Sequence, residues 1–300
     1  MYEEFYNFTQ KPFTLSPDPS FLYLGKSHRR AMDILEYGVE SESGITVISG
    51  EVGTGKTTLI RGLMSELGDE YTVGLITNTQ QDFGDLLKWV LLAFDVSTDE
   101  TDHVKLYQLL EEFITSEYAA GHQVILIIDE AQNLGKEALE DIRMLTNINV
   151  DKDVVLQLIM VGQPELVEIL RKKELRQFAQ RVSADYLLQP LTFAETQSYI
   201  RHRITVAGGD EDLFAPTAYA TVYYHSGGIP RVINTICDMA LVYGYADESP
   251  RIRKEIILDA IRDRKVGGLV IRDDQNFNQA AENLRQQIIE KTGIDIAEIG

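Results

Sequence analysis

The stretch Gly50-Glu51-Val52-Gly53-Thr54-Gly55-Lys56-Thr57 matches the pattern G-x-x-x-x-G-K-[ST] at every fixed position. A β-branched run, Ile45-Thr46-Val47-Ile48, precedes it, and apolar residues at helical spacing follow from Thr58 to Met64. A strand, a glycine-rich loop and a helix in this order direct backbone N–H groups at phosphate oxygens, and the helix N-terminus adds positive potential. The stretch therefore predicts a nucleotide-phosphate loop within an α/β fold.

Two side chains of this loop have distinct expected roles. Lys56 is expected to reach the β- and γ-phosphates of ATP, and Thr57 is expected to bind Mg²⁺. The alternative is a glycine-rich turn that carries a surface lysine, and the correct flanking elements count against it. The full predicted binding set is Gly50, Glu51, Val52, Gly53, Thr54, Gly55, Lys56, Thr57 and Thr58.

A second signal is the apolar run from residue 123 to 128, which ends in Asp129 and Glu130. Such a run is typical of a central parallel strand that is covered on both faces. Open α/β sheets bind ligands at the carboxyl ends of their strands. We therefore expect Asp129 to be the carboxylate on the Mg²⁺ side and Glu130 to polarise the attacking water. The alternative is a solvated charge pair at the end of a strand.

The order of the remaining patterns predicts the architecture. Apolar strands are expected at 45–48, 71–77, 123–128, 154–161 and 185–188, with helical patterns between them, which describes a three-layer α/β domain with a parallel five-stranded sheet. Gln163 closes the fourth of these strands, which we expect to neighbour the first.

The predicted divisions are an extended segment at 1–27, the α/β domain at 28–191, a small all-helical domain at 192–265, and a tail at 266–300. The tail holds one amphipathic helix candidate from Ala280 to Glu290, which either docks or is mobile.

Composition narrows the class of protein. Of the 300 residues, 44% are hydrophobic and 25% charged, and 47 acidic against 28 basic residues give a formal net charge of −19. Such a chain is typical of soluble globular proteins, and its charge disfavours binding to nucleic acid or to anionic membrane surfaces. The start lacks the basic and apolar regions of a secretory signal, and no apolar run is long enough to predict a membrane span. The single cysteine, Cys237, lies in an apolar helical pattern and is expected to be buried.

Together these features resemble the AAA+ ATPases, and more narrowly the general secretion pathway protein A (ExeA/GspA) family, over about residues 1–265. The stretches that carry this resemblance are the phosphate loop, Pro12-Phe13, Pro17-Asp18-Pro19, Phe21-Leu22-Tyr23-Leu24, Asp129-Glu130-Ala131-Gln132-Asn133-Leu134, Val161-Gly162-Gln163-Pro164-Glu165-Leu166 and Gly228-Ile229-Pro230-Arg231. Members of that family often continue into a membrane span and a peptidoglycan-binding module, which these residues lack. We therefore expect a cytoplasmic relative, held at the inner membrane only through a partner.

The resemblance implies further site residues. Gln163 is similar to sensor 1, Arg231 to sensor 2 from the helical lid, and Arg181 to an arginine finger, with Arg176 as the alternative finger. Asn78, at the end of the second strand, resembles a residue that holds the catalytic glutamate away from water until a partner binds. An asparagine that only starts the following turn is the alternative for Asn78.

The resemblance also implies a function. It predicts an oligomer, ring or filament, that hydrolyses ATP with Mg²⁺ and remodels or assembles a protein partner in a secretion, pilus or exopolysaccharide system. The rival is a DNA-associated ATP switch, because the transposition regulators TniB, TnsC and MuB are similar in the ATPase core. A third interpretation keeps the nucleotide merely structural, and the presence of Glu130 beside Asp129 argues against it.

Overall fold

A computed structural model describes residues 1–41, 44–77, 85–150, 153–263 and 279–298. The chain forms two compact units. The first, called here the sheet unit, comprises residues 28–52 and 56–188. The second, called the helical unit, comprises residues 1–27, 53–55 and 189–300. The tip of the phosphate loop, residues 53–55, thus groups with the helical unit.

The strands lie in the sheet unit. In chain order they are β1 Ile45–Gly50, β2 Tyr71–Ile76, β3 Gln123–Ile128, β4 Asn149–Val150, β5 Asp153–Val154, β6 Leu156–Gly162 and β7 Val182–Leu188. The main sheet has the order β2-β3-β6-β1-β7, and every neighbouring pair in it is parallel. The predicted parallel five-stranded sheet is confirmed. The short antiparallel pair of β4 and β5 was not predicted, and it separates Val154 from the strand to which the sequence pattern assigned it.

Helices connect the strands and build the second unit. In chain order they are α1 Tyr2–Phe5, α2 Lys26–Glu40, α3 Lys56–Glu66, α4 Leu86–Ala93, α5 His103–Ala119, α6 Lys136–Leu145, α7 Pro164–Leu170, α8 Arg176–Ala179, α9 Phe193–Val206, α10 Pro216–Ser226, α11 Pro230–Ala246, α12 Lys254–Arg262 and α13 Gln279–Thr292. Short 3-10 turns occur at Pro19–Phe21, Ala131–Asn133 and Lys173–Leu175.

The central strands are apolar because both of their faces are covered. All residues of β1 and β6 are buried, and so are those of β3 after its first residue. The parallel arrangement requires a crossover between strands, and the helices of these crossovers supply the apolar cover. The edge strand β7 instead alternates between partly buried and exposed residues until its buried end at Leu188. Because β1, β6 and β3 are adjacent and parallel, their carboxyl ends lie side by side at one end of the sheet.

Residues 1–27 contribute to the core of the helical unit. Their buried aromatic side chains pack with buried apolar side chains of α9, α10, α11 and α12. The Tyr2 hydroxyl donates to Asp238 at 2.5 Å, and the Tyr6 hydroxyl donates to the Ser249 carbonyl at 2.9 Å. The segment predicted as extended contains α1 and a 3-10 turn.

The tail contains the helix that the amphipathic pattern indicated. Ala281 of α13 and the buried Ile296 beyond it pack against Ala220, Tyr223 and Tyr224 of α10. Within the described part of the tail, α13 and Ile296 thus pack on α10. Within the described residues, no helix combines the length and the apolar character needed to cross a membrane.

Candidate nucleotide-binding site

Lys56 opens α3 and is almost fully buried, with a relative exposure of 5%. Its Nζ donates to the carbonyl oxygens of Gly50 at 2.7 Å and Glu51 at 3.1 Å. Burial lowers the pKa of this amine below its usual value, and the nearby carboxylates of Glu130 and Asp129 oppose that shift in part. Among the described residues the hydrogen-bond acceptors of this amine are carbonyl oxygens, and a phosphate oxygen would be a charged and therefore stronger acceptor.

The loop tip has a backbone that only glycine adopts easily. Gly53 and Gly55 have φ values of +82° and +100°, in the left-handed region. A Cβ on Gly53 would lie 2.6 Å from the Cβ of Arg231, and the Arg231 N–H donates to the Gly53 carbonyl at 3.1 Å. Loop tip and Arg231 thus touch within the helical unit, and Thr54 between the two glycines is fully buried.

Thr57 and Asp129 meet side by side in the sheet unit. The Thr57 hydroxyl donates to Asp129 Oδ2 at 2.7 Å, and the N–H of Glu130 donates to Asp129 Oδ1 at 2.9 Å. Hydroxyl and carboxylate oxygens are the hard ligands that Mg²⁺ prefers, and Mg²⁺ is usually bound by one or two protein oxygens together with phosphates and waters. The donor set therefore fits Mg²⁺ with a nucleotide. The described residues contain no larger cluster of metal-binding side chains.

Glu130 and Gln163 lie together beyond the ends of β3 and β6. Gln163 Nε2 is 3.4 Å from Glu130 Oε2, and Gln132 Nε2 is 2.6 Å from the same oxygen. The backbone of Glu130 is left-handed, with φ of +53°, which is uncommon for a residue with a side chain and ends the strand abruptly. This turn carries the carboxylate away from the strand and begins the 3-10 turn Ala131–Asn133.

The strand order explains why these residues meet. Because β6 lies between β1 and β3, the residue after β6 stands between the phosphate loop after β1 and the acidic pair after β3. The prediction that the strand of Gln163 neighbours the first strand is confirmed by its register with β1.

The remaining predicted residues are placed elsewhere or not described. The Arg181 guanidinium donates to the carbonyl of Arg143 at 3.5 Å and to Thr146 Oγ1 and Asn147 Oδ1, all around the end of α6. Arg176 in α8 is exposed, and the part of the chain that the structure describes holds no hydrogen-bond or ion-pair partner for its guanidinium. Asn78 lies outside the described residues.

Sequence reasoning gave no role to Gln132. The residue belongs to the stretch from Asp129 to Leu134, which carries part of the family resemblance. Its amide nevertheless contacts Glu130 and also accepts the N–H of Gln163 at 2.9 Å. A glutamine in a short turn has no distinctive sequence signal, so only the folded arrangement identifies it.

Comparison with known proteins agrees with this geometry. The family model described as AAA domain matches residues 39–170. General secretion pathway protein A of Aeromonas hydrophila is 40% identical over 253 residues, which are 84% of this chain and 46% of that protein. The chain belongs to the general secretion pathway protein A group of AAA proteins. It spans about half the length of that curated relative.

Solved structures show the same fold at low identity. The ORC2 protein of Aeropyrum pernix, in ADPNP and ADP complexes, has a TM-score of 0.66 and 13% identity, covering 97% of this chain and 87% of that one. The ORC1 protein of the same organism, in complex with DNA, has a TM-score of 0.64 and 15% identity over 97% and 84%. The Thermotoga maritima RuvB Holliday junction branch migration motor has a TM-score of 0.53 and 17% identity over 94% and 80%.

Proposed function

We propose that this AAA protein hydrolyses ATP with Mg²⁺. The observation that carries the proposal is the Thr57 to Asp129 contact beside the buried Lys56, with Glu130 and Gln163 next to it. This cluster stands at the carboxyl ends of parallel strands, where α/β sheets bind ligands.

Enzymes catalyse phosphoryl transfer mostly by positioning the reacting groups and by neutralising charge, and different residues of this site supply these two effects. Lys56 and the loop amides bind the β- and γ-phosphates, with Arg231 touching the loop tip at Gly53. Mg²⁺, when bound, neutralises charge on the phosphate oxygens, and Thr57 and Asp129 hold it. Glu130 accepts a proton from the attacking water, and Gln163 orients that water.

We propose further that the protein works as an oligomer on a protein partner of a secretion, pilus or exopolysaccharide system. Support comes from the 40% identity to general secretion pathway protein A. In this proposal the protein acts in the cytoplasm, and hydrolysis moves the predicted helical domain at 192–265 to remodel or assemble the partner.

The first test is Mg²⁺-dependent release of phosphate from ATP by the purified protein. Wild type should turn over ATP and lose this activity in EDTA. Lys56→Ala should abolish binding of a fluorescent ATP analogue, because the phosphates lose the one buried cation at the start of α3. Arg61→Ala, a change of an exposed cation on the same helix, is the matched control and should bind normally. Wild-type activity that persists in EDTA, or Lys56→Ala that binds normally, would contradict the site.

The rival proposal is an ATP switch on duplex DNA. It is favoured by the fold shared with the ORC1 protein in complex with DNA, and the net charge of −19 counts against it. DNA binding that needs ATP and weakens steeply between 50 mM and 200 mM salt would support it. We expect no such binding.

A further inference from the structure

Gln132 joins two residues of the site through one side chain. Its Nε2 donates to Glu130 Oε2 at 2.6 Å, and its Oε1 accepts the N–H of Gln163 at 2.9 Å. The first contact holds the carboxylate that follows β3, and the second holds the backbone that follows β6. A single amide therefore bridges the ends of two neighbouring strands across the site.

Glutamine is suited to this bridge because its amide both donates and accepts hydrogen bonds. A glutamate at this position could accept the N–H of Gln163, but it would repel Glu130. Asparagine has the same chemistry on a stem that is one methylene shorter, so it cannot span both contacts from the same backbone. An apolar side chain of similar size makes neither contact.

Gly162, the last residue of β6, makes room for the bridge. A Cβ added there would lie 2.7 Å from Gln132 Oε1, which is closer than Cβ atoms approach other heavy atoms. The φ of Gly162 is outside the left-handed region, so its backbone alone does not call for glycine. The missing side chain is instead what lets the Gln132 amide reach the N–H of Gln163.

Glu130 needs such a restraint. Its backbone is already set by the left-handed turn at the end of β3, with φ of +53°. The freedom that remains is rotation about the side-chain bonds, and a general base works only within hydrogen-bond reach of the water it activates. The donor on Gln132 fixes this rotation by holding one carboxylate oxygen.

We propose that Gln132 is a positioning residue for hydrolysis, which orients the Glu130 carboxylate and couples it to the end of β6 that carries Gln163. This inference rests on the proposed function, because it needs Glu130 to act as the base.

The test measures kcat, KM and nucleotide Kd for Gln132→Leu. We expect kcat to fall about 10- to 100-fold, part of the 10²- to 10⁴-fold that a general base contributes. KM and the Kd for a fluorescent ATP analogue should stay within about twofold, since within the described residues the hydrogen bonds of the Gln132 side chain go to Glu130 and Gln163 and not to the phosphate loop. Asn133→Leu, a change of an exposed neighbour in the same turn, is the matched control and should keep the wild-type kcat.

A double variant separates positioning from a general structural effect. If Gln132 acts through Glu130, then Gln132→Leu added to Glu130→Gln should lower turnover no further, because residues that act as a unit are not additive. A multiplicative loss, or a rise in Kd that matches the fall in activity, would overturn the proposal.

Gly162→Ala and Gln132→Asn keep the test valid if Gln132→Leu folds poorly. Both break the bridge by other means, so both should lower kcat while keeping Kd. If wild type hydrolyses ATP and these variants match its kcat, the inference is wrong and the proposed function stands. A wild type without turnover would overturn both.

Discussion

Arg181 offers a test in which one substitution should change both stability and turnover. Its guanidinium donates to the end of α6 at the carbonyl of Arg143 and the side chains of Thr146 and Asn147. These bonds satisfy groups at a helix C-terminus, where a cation is also favoured. Arg181 thus has a structural role in its own chain besides the role of an arginine finger that the family resemblance implies, and we propose that this finger serves a neighbouring subunit.

The expected loss of stability follows from these contacts. The guanidinium is partly exposed, so solvent screening reduces its hydrogen bonds to a total of about 1–2 kcal/mol. For a unit of this size, that corresponds to a fall in Tm of about 2–8 °C for Arg181→Ala. Arg176→Ala is the matched control, because that side chain is exposed, and its Tm should equal that of wild type.

The expected loss of turnover is much larger if Arg181 serves a neighbouring subunit, since arginine fingers are worth about 10³–10⁵ in rate. The assay mixes Arg181→Ala with Lys56→Ala, which are each expected to be inactive. Mixed oligomers contain interfaces with an intact Lys56 site and an intact Arg181, so activity should partly return and rise with protein concentration. No recovery in oligomers shown to be mixed, or full activity of dilute Arg181→Ala, would refute the trans role. Arg176 would then be the next candidate.

Two further predictions concern the helical unit. Gly228→Ala should lower the stability of the helical unit by about 2–4 kcal/mol, because φ is +78° and the new Cβ would lie 1.9 Å from the Leu191 carbonyl oxygen. Gly227→Ala, where φ is +60° and nothing lies within 4 Å of the new Cβ, should cost only about 1 kcal/mol. Urea unfolding of both variants measures the difference. At all pH values above about 4, Arg285→Ala should lower Tm by a small amount. The reason is that Arg285 holds the pKa of Asp295 down at about 2. That difference should shrink as the pH falls from about 4 towards 2, when Asp295 becomes protonated in wild type too; a difference independent of pH would contradict the pairing.

The fold was predictable because its signals are local and redundant. The loop around Lys56 and the apolar run before Asp129 each identify a strand and its end, and the sheet confirms their parallel arrangement. Boundaries were less secure. The pattern from Val154 onward reads as one strand, but the pairing of β4 with β5 interrupts it, and no local propensity encodes that pairing.

The site was predictable only in part, because contacts between side chains depend on strand order. Sequence reasoning could place Glu130 and Gln163 at the ends of their strands, and the role expected of Gln163 came only from the family resemblance. It could not find Gln132, whose contact with the N–H of Gln163 occupies space beside Gly162, where a Cβ would lie 2.7 Å from Gln132 Oε1. It also could not foresee that the Arg181 guanidinium binds the end of α6, since Arg181 and Arg143 are distant in sequence.

The central claim is that Glu130 activates water at a Mg-ATP site, and single-turnover hydrolysis by Glu130→Gln tests it most directly. Glutamine keeps the shape of the side chain but cannot take up the proton, so the rate should fall at least about 100-fold while the Kd for Mg-ATP stays near that of wild type. Glu137→Gln, at an exposed position in the first turn of α6, serves as the control and should hydrolyse normally. Hydrolysis by Glu130→Gln at the wild-type rate would contradict the account.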